Sequence, residues 1–94
     1  ILFMEADGNY ISIHTGKSIY RLRQKLYELE EILPRDFLRV SKSTIVNTEQ
    51  ISSIKKNITG ASEISFRNST KQAYASRNYI KALLEIMDEK RLKR

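Results

Sequence analysis

The chain has 94 residues and no cysteine, with 40% hydrophobic residues, 30% charged residues and a formal net charge of +6. This length and composition predict one globular domain over residues 1–94, and they exclude a disulfide scaffold and thiolate metal sites. No apolar run reaches the roughly 20 residues of a membrane helix and no signal peptide opens the chain, so we expect a cytoplasmic protein without a membrane partner.

Three strands are predicted in the first 22 residues. An apolar run at residues 1–4 and the alternating residues 10–14 indicate two strands, joined by an Asp-Gly-Asn turn at residues 7–9. Glycine and asparagine tolerate the positive φ that tight hairpins need. A second turn at residues 14–17 leads into a short third strand at residues 19–22.

A helix is predicted next, over residues 23–33. Four leucines recur there at helical spacing and share one face: Leu22, Leu26, Leu29 and Leu33. Pro34 should end this helix, because proline cannot continue the hydrogen-bond ladder and disfavours the helical conformation in the residue before it.

The second half of the chain predicts five strands and a final helix. The strands lie at residues 37–40, 44–47, 51–54, 64–67 and 72–75. Ser76 is a predicted N-cap of the helix, with its hydroxyl accepting a backbone N–H of the first turn. The apolar residues of that helix recur at i, i+3, i+4 and i+7: Ile80, Leu83, Leu84 and Met87. A basic run over residues 90–94 ends the chain.

The positive charge is unevenly distributed. Residues 1–40 hold six basic and six acidic side chains, whereas residues 41–94 hold eleven basic and five acidic ones. Such an excess favours a polyanionic partner, because a positive field speeds encounter and each neutralised phosphate releases counterions. Solubility alone also accounts for a charge of this size, so the charge by itself leaves both interpretations open.

Residues suited to catalysis or metal binding are not grouped in this sequence. The single histidine, His14, lies on the polar side of a predicted strand, where a structural role is far more common than a catalytic one. The aspartates lack metal-ligand spacing, the three glycines cannot form a phosphate-binding loop, and no serine lies in a nucleophile elbow. We therefore predict no enzymatic activity, no cofactor and no bound metal.

Two short basic segments carry the strongest binding signal. The loop 41–43, Ser-Lys-Ser, lies between apolar strands that would hold it out toward a partner, and these residue types contact phosphates and base edges. The segment 76–78, Ser-Arg-Asn, begins the last helix, and its arginine and asparagine suit guanine and adenine. A solvated turn and an ordinary helix cap are the structural alternatives.

Neighbouring turns supply further candidates for phosphate or base contacts, although basic residues beside turns are also common on ordinary surfaces. The full set of predicted DNA-binding residues is Asn9, Ser41, Lys42, Ser43, Lys55, Lys56, Lys71, Arg77 and Asn78.

In their order along the chain, these segments resemble the LytTR family of bacterial DNA-binding domains. The resemblance spans nearly the whole chain and rests on residues 1–6, 8–10, 26–30, 37–43, 46–47, 51 and 74–79. It implies a mainly β fold, an elongated antiparallel β-sheet domain with two short helices, of which the second is C-terminal. It also implies that inter-strand loops, rather than a recognition helix, enter successive major grooves at promoter direct repeats.

The resemblance assigns base contacts to the turn at Asn9, to the loop 41–43 and to the start of the last helix. Two departures from the family pattern affect this assignment. Family members often have histidine or asparagine where this chain has Ser41 and Lys42. The alignment after Ser76 can also shift by one residue, so Arg77 and Asn78 compete for one role.

The resulting prediction is sequence-specific binding of double-stranded DNA by a bacterial transcription regulator of the response-regulator type. Because the chain begins with Ile1 rather than methionine, we expect residues 1–94 to be the C-terminal part of a longer protein. An upstream receiver domain in that longer protein and a homodimer on DNA are both compatible with this prediction. The alternative is a protein-interaction module that docks through its amphipathic C-terminal helix. An RNA-binding sheet has less support, since no strand clusters aromatic residues.

Overall fold

The chain forms strands where apolar and polar residues alternate and helices where leucines recur at 3.6-residue spacing. The computed structural model describes residues 1–92, so Lys93 and Arg94 of the predicted basic run lie outside the described residues. The elements are β1 Phe3–Asp7, β2 Tyr10–His14, β3 Ile19–Leu22, α1 Leu26–Ile32, β4 Phe37–Arg39, β5 Thr44–Asn47, β6 Ile51–Lys55, β7 Ser62–Phe66, β8 Gln72–Ala75 and α2 Ile80–Leu92.

The strands form two antiparallel sheets. The first has five strands in the order β3-β2-β1-β5-β4, and the second has three in the order β6-β7-β8. The longest extent of the domain is 36 Å, against 27 and 26 Å in the other directions. The predicted mainly β class with a C-terminal second helix is confirmed, whereas the division into two sheets was not predicted.

Side-chain alternation along β1 divides the core between the two faces of the larger sheet. Met4 points to one face and packs with a first cluster that α1 covers; its other buried members are Ile11, Leu26, Leu29 and Ile45. Phe3 points to the opposite face and packs with a second cluster, which joins this sheet to the smaller sheet and to α2 through Val46, Phe66 and Leu83. Each helix therefore covers a different part of the core.

Helix α1 begins at Leu26, three residues later than the predicted start at residue 23. Leu22 fits the helical spacing of the leucines, but it belongs to β3 and pairs with Ile11 of β2. The Glu28 carboxylate accepts a hydrogen bond from the Lys25 backbone N–H at 2.9 Å, which fixes the chain at the helix start. The helix ends at Ile32, one residue before the predicted end at residue 33, and Leu33 is extended, as expected for the residue before Pro34.

Helix α2 packs its apolar side against the core of the domain itself. Leu83 is fully buried, and Ile80 and Met87 pack against the same cluster. The predicted helix start at Ser76 differs in the structure: a turn at residues 77–79 precedes α2, and the Ser76 carbonyl accepts from the amides of Tyr79 and Ile80 at 3.0 and 3.1 Å. Three of the four residues of the apolar stripe therefore pack within the domain, whereas Leu84 is partly buried outside this cluster.

A cluster of charged side chains joins the last turns of α2 to the larger sheet. The Lys90 ammonium donates to the Asp36 carboxylate at 2.8 Å and also to Glu49. The hydrogen bond from Lys90 lowers the pKa of Asp36, and Asp36 and Glu49 in turn raise the pKa of Lys90.

The stabilisation that the Asp36–Lys90 pair gives the domain should be lost in acid. A carboxyl whose pKa is lowered on folding stabilises the fold above its ordinary pKa of about 3.9, and this contribution disappears as the pH falls through the lower folded value. Thermal unfolding between about pH 6 and pH 2 should therefore show a steeper loss of stability for the wild type than for Asp36→Asn. Equal acid slopes for the two proteins would contradict a stabilising role for the pair.

Candidate nucleic-acid interface

The antiparallel register brings two of the predicted binding segments to the same end of the larger sheet. Strand β1 ends at Asp7, opposite Tyr10, with the turn 8–9 between them, and Glu5 pairs with Thr44 at the start of β5. The Ala6 backbone N–H donates to the Ser43 carbonyl at 2.8 Å. The turn at Asn9 and the loop 41–43 therefore lie side by side.

The smaller sheet brings two more predicted segments to this end. The Ser76 backbone N–H donates to the Val40 carbonyl at 2.8 Å, which places segment 76–78 beside the start of the loop 41–43. Gly60 and Ala61 line one groove together with Ser76, Arg77 and Asn78. We call this surface, formed by residues 8–9, 41–43, 55–61 and 76–78, the loop end.

The side chain of Arg39 holds the backbone of the loop 41–43 in place. Its guanidinium donates to the carbonyls of Ser41, at 2.8 Å, and Lys42, and also to the Glu30 carboxylate at 3.0 Å. The Ser43 backbone N–H donates to the Ser41 hydroxyl at 3.2 Å. With its backbone fixed in this way, the loop presents the exposed side chain of Lys42 to a partner.

The side chains of segment 76–78 and of the β6–β7 loop are also presented to solvent. Arg77 and Asn78 are both exposed at the start of the turn that leads into α2. Lys55 and Lys56 are exposed at the end of β6, before a loop in which Asn57 accepts a hydrogen bond from the Thr59 amide at 3.1 Å. Basic and amide groups thus occur together on this surface, beside the exposed apolar side chain of Ile58.

Lys71 lies elsewhere. It follows the β7–β8 turn, and its ammonium donates to the Ser18 carbonyl in the β2–β3 loop at 2.9 Å. That loop is at the opposite end of the larger sheet from Asn9, because β2 runs from Tyr10 to His14. The structure brings eight of the nine predicted residues together and leaves Lys71 apart.

His14 has the structural role expected from its place in the strand. Its ring stacks on Phe3 with centroids 4.2 Å apart, and its Nε2 lies 3.2 Å from a Glu5 carboxylate oxygen. Burial lowers the pKa of His14, so the neutral ring is favoured within the core. Within residues 1–92, no group of three or more acidic or histidine side chains is placed to hold a metal ion.

Comparison with known protein families identifies this arrangement of strands and loops. Residues 1–88 match the LytTr DNA-binding domain family. The chain belongs to this family. The resemblance predicted from the sequence motifs is thereby confirmed, and the loop end is a surface of a LytTr domain.

Relatives and a solved structure agree with this assignment. The LytTr domain is 34% identical over 85 residues to an uncharacterised HTH-type transcriptional regulator of Staphylococcus aureus strain N315, and 33% identical to one of strain MRSA252. Each match covers 90% of this chain and 56% of the relative, so the chain spans little more than half the length of these proteins. A structure of the LytTr DNA-binding domain of a Bacillus cereus response regulator superposes with a TM-score of 0.80 at 23% identity, over 93% of this chain and 80% of that one.

The two helices of this LytTr domain do not form a helix-turn-helix. Helices α1 and α2 are separated by residues 33–79, which include five strands, and they cover different core clusters. The loops are therefore the projecting elements of the domain. None of its described helices has the length and apolar character to span a membrane.

Sequence reasoning missed two features of the loop end. Arg39 was considered only as a strand residue, and its role as a support for the loop 41–43 depends on contacts that no local pattern predicts. Residues 23–25 were assigned to the helix, although they form a loop that lines a cleft with Gly8 and Asn9. A partial local signal for this loop existed: Glu28 lies three residues after Lys25, the spacing at which a carboxylate in the first turn accepts from the amide before the helix.

Proposed function

We propose that the loop end binds double-stranded DNA in a sequence-specific manner, with its loops in successive major grooves at direct repeats of a promoter. The observation that carries this proposal is the convergence of four segments distant in sequence, rich in basic and amide side chains, at one end of a LytTr domain. Phosphate contacts would set the register on DNA, and base contacts would supply specificity.

Each segment supplies groups suited to one of these roles. Arg77 can bind the O6 and N7 of guanine, and Asn78 can bind the N6 and N7 of adenine. Lys42 can reach a guanine edge or a phosphate, with the hydroxyls of Ser41 and Ser43 beside it. The remaining members of the surface, Asn9 on its turn and Lys55 and Lys56 on the β6–β7 loop, would read a base edge and bind phosphates respectively.

The size of the domain is consistent with contacts in more than one groove. Its longest extent is 36 Å, and successive major grooves on one side of B-DNA are about 34 Å apart. The row of loops along the larger sheet spans roughly 19 Å, and segments 55–61 and 76–78 extend the loop end beyond it.

The biological context follows from the same proposal. We infer that residues 1–94 are the DNA-binding part of a longer bacterial transcription regulator in the cytoplasm. The 85 matched residues make up 56% of each relative, so the relatives extend beyond the region that this chain matches. By analogy with the Bacillus cereus response regulator, we infer a receiver domain upstream in the full-length protein. Direct repeats would place two copies of the domain on one promoter, as a homodimer on DNA.

Replacing Lys42 or Arg77 with alanine should weaken binding to a cognate duplex. Loss of a base-reading arginine should cost about 1–3 kcal/mol and relax specificity at one position. The matched control is Lys17→Ala, because Lys17 is an exposed lysine of the β2–β3 loop, at the opposite end of the sheet. Duplexes selected by the wild-type chain from a randomised pool, titrated by fluorescence anisotropy, would measure the three affinities.

The salt dependence of the same titrations tests the class of partner. Phosphate contacts predict that the logarithm of the affinity falls linearly with the logarithm of the salt concentration. If no duplex is enriched, or if Lys42→Ala and Arg77→Ala both bind as tightly as Lys17→Ala, the proposed site is wrong.

A further inference from the structure

We propose that Arg23, Gln24 and Lys25 form an additional DNA-contacting segment, which extends the loop end by one loop beyond Asn9. This inference rests on the proposed DNA-binding function. In it, Arg23 and Lys25 bind backbone phosphates, and Gln24 lies beside Asn9 at the base edges.

Strand order places this segment at the same end of the sheet as the other loops. Leu22, the last residue of β3, pairs with Ile11, and Tyr10 before it pairs with Asp7 at the end of β1. The chain leaving β3 therefore emerges next to the turn 8–9. From one side of this surface to the other, the segments lie in the order 23–25, 8–9, 41–43 and 76–78.

The segment and the turn are the two walls of an open cleft of about 420 Å³. Ala6, Ile11 and Leu26 contribute apolar groups to its lining, whereas Asn9, Gln24 and the basic residues contribute polar ones. Asparagine and glutamine are the side chains that bind adenine through two hydrogen bonds, and here one stands on each wall. The cleft thus combines amide groups for a base edge with cations for the adjoining backbone.

The backbone of the segment is held at Lys25, while the charged side chains of the segment are presented to solvent. The Lys25 N–H donates to the Glu28 carboxylate at 2.9 Å, and the Lys25 carbonyl accepts from the Glu28 amide at 3.1 Å. Arg23 and Lys25 are both exposed. The two hydrogen bonds at Lys25 reduce the backbone entropy that this end of the segment would lose on binding.

Two acidic groups restrict where a phosphate could lie. Asp7 is exposed at the base of the turn, and Glu28 lines the cleft. The Glu28 carboxylate accepts a hydrogen bond from the Lys25 amide, so its negative charge lies at the start of α1. A phosphate would therefore bind at the outer rim, beside Arg23 and Lys25, rather than deep in the cleft.

The position of the segment predicts which part of a DNA site it contacts. Strands β3 and β4 are four positions apart in the sheet, and at about 4.8 Å per strand the row of loops along this sheet spans roughly 19 Å. Segments 23–25 and 76–78 lie on opposite sides of the loop 41–43. Contacts from 23–25 should consequently fall at one edge of the DNA site, and those from Arg77 at the other.

The test compares variants of the 94-residue chain on a duplex that the wild type selects from a randomised pool. Arg23→Ala with Lys25→Ala, combined in one chain, should weaken binding about tenfold and make the salt slope shallower by about two. In ethylation interference, the double variant should become insensitive to ethylation of the phosphates at one edge of the site, and its sensitivity elsewhere should equal that of the wild type. Lys17→Ala is the matched control, since residues 17 and 23 lie just outside the two ends of β3, and it should match the wild type.

The proposal is overturned if the double variant has wild-type affinity, salt slope and interference pattern. In that case Lys42→Ala and Arg77→Ala, titrated on the same duplex, would still report on the proposed function independently. If those two variants also bind as the wild type does, the assignment of the whole loop end fails, which is a different result from failure of residues 23–25 alone. Thermal unfolding of each variant confirms that the fold is retained.

Discussion

Arg39→Ala should weaken DNA binding about tenfold or more, although Arg39 itself need not touch DNA. Its guanidinium supports the carbonyls of Ser41 and Lys42 and is held by Glu30 of α1. Without it, two loop carbonyls lose their donors, and the loop must be ordered when DNA binds, at a cost in affinity. Loss of these hydrogen bonds, of which the one to the Ser41 carbonyl is partly buried, should also destabilise the fold by about 1–3 kcal/mol.

The geometry of the guanidinium makes a conservative variant informative. Lysine keeps the positive charge, but a single ammonium on a flexible stem does not reproduce the planar fork that reaches three acceptors. Arg39→Lys should therefore retain most of the affinity loss of Arg39→Ala, because a positive charge alone does not hold the two loop carbonyls. Glu30→Gln leaves both loop contacts intact and should have a much smaller effect.

Anisotropy titrations and base-substitution profiles distinguish a positioning role from general destabilisation. In a folded Arg39→Ala domain, discrimination should be lost at the bases next to the loop 41–43 and retained at those read by segment 76–78. Wild-type affinity together with a wild-type profile in that variant would show that the loop is ordered without Arg39.

Local patterns predicted the elements of this domain well where turn residues bound them on both sides. Strands β3, β5 and β8 have the predicted bounds, because Gly16, Ser43 and the residues before Gln72 separate short apolar runs cleanly. The predicted start of α1 was three residues too early, because residues 23–25 contain no glycine or proline and the leucine spacing continues back to Leu22. The strand β3 ends at Leu22, and the three residues after it form a loop before the helix.

The residue types of the loop end could be predicted from the sequence, but which segments belong to it depends on the topology of the strands. Lys56 and Lys71 look alike in the sequence, since each is a lysine beside a turn. In an antiparallel hairpin series, however, the turns before and after β7 must lie at opposite ends of that strand, so these two lysines cannot share a surface. This argument from connectivity was available from the predicted strands alone. By contrast, the contact between Ser76 and Val40, which joins the two sheets, was not.

Leu83→Ala should destabilise the domain by about 2–5 kcal/mol, a large part of the 5–15 kcal/mol typical of whole domains. Leu83 is fully buried where α2 meets both sheets, so its removal leaves a cavity that neighbouring side chains fill only in part. Leu84→Ala is the matched control, because the adjacent leucine is only partly buried and should cost about 1 kcal/mol. Urea unfolding followed by circular dichroism measures both.

The same comparison decides between the two interpretations of the apolar stripe of α2. If the stripe served to dock a partner protein, Leu83→Ala and Leu84→Ala would have similarly small effects on the isolated chain. A large difference means that the helix belongs to the core, which also bears on DNA binding. Tyr79 alone separates Asn78 from the first residue of α2, and the helix is fastened near its other end through Lys90, so its packing holds segment 76–78 against the loop 41–43. Partial loosening of α2 should therefore weaken DNA binding before the domain unfolds.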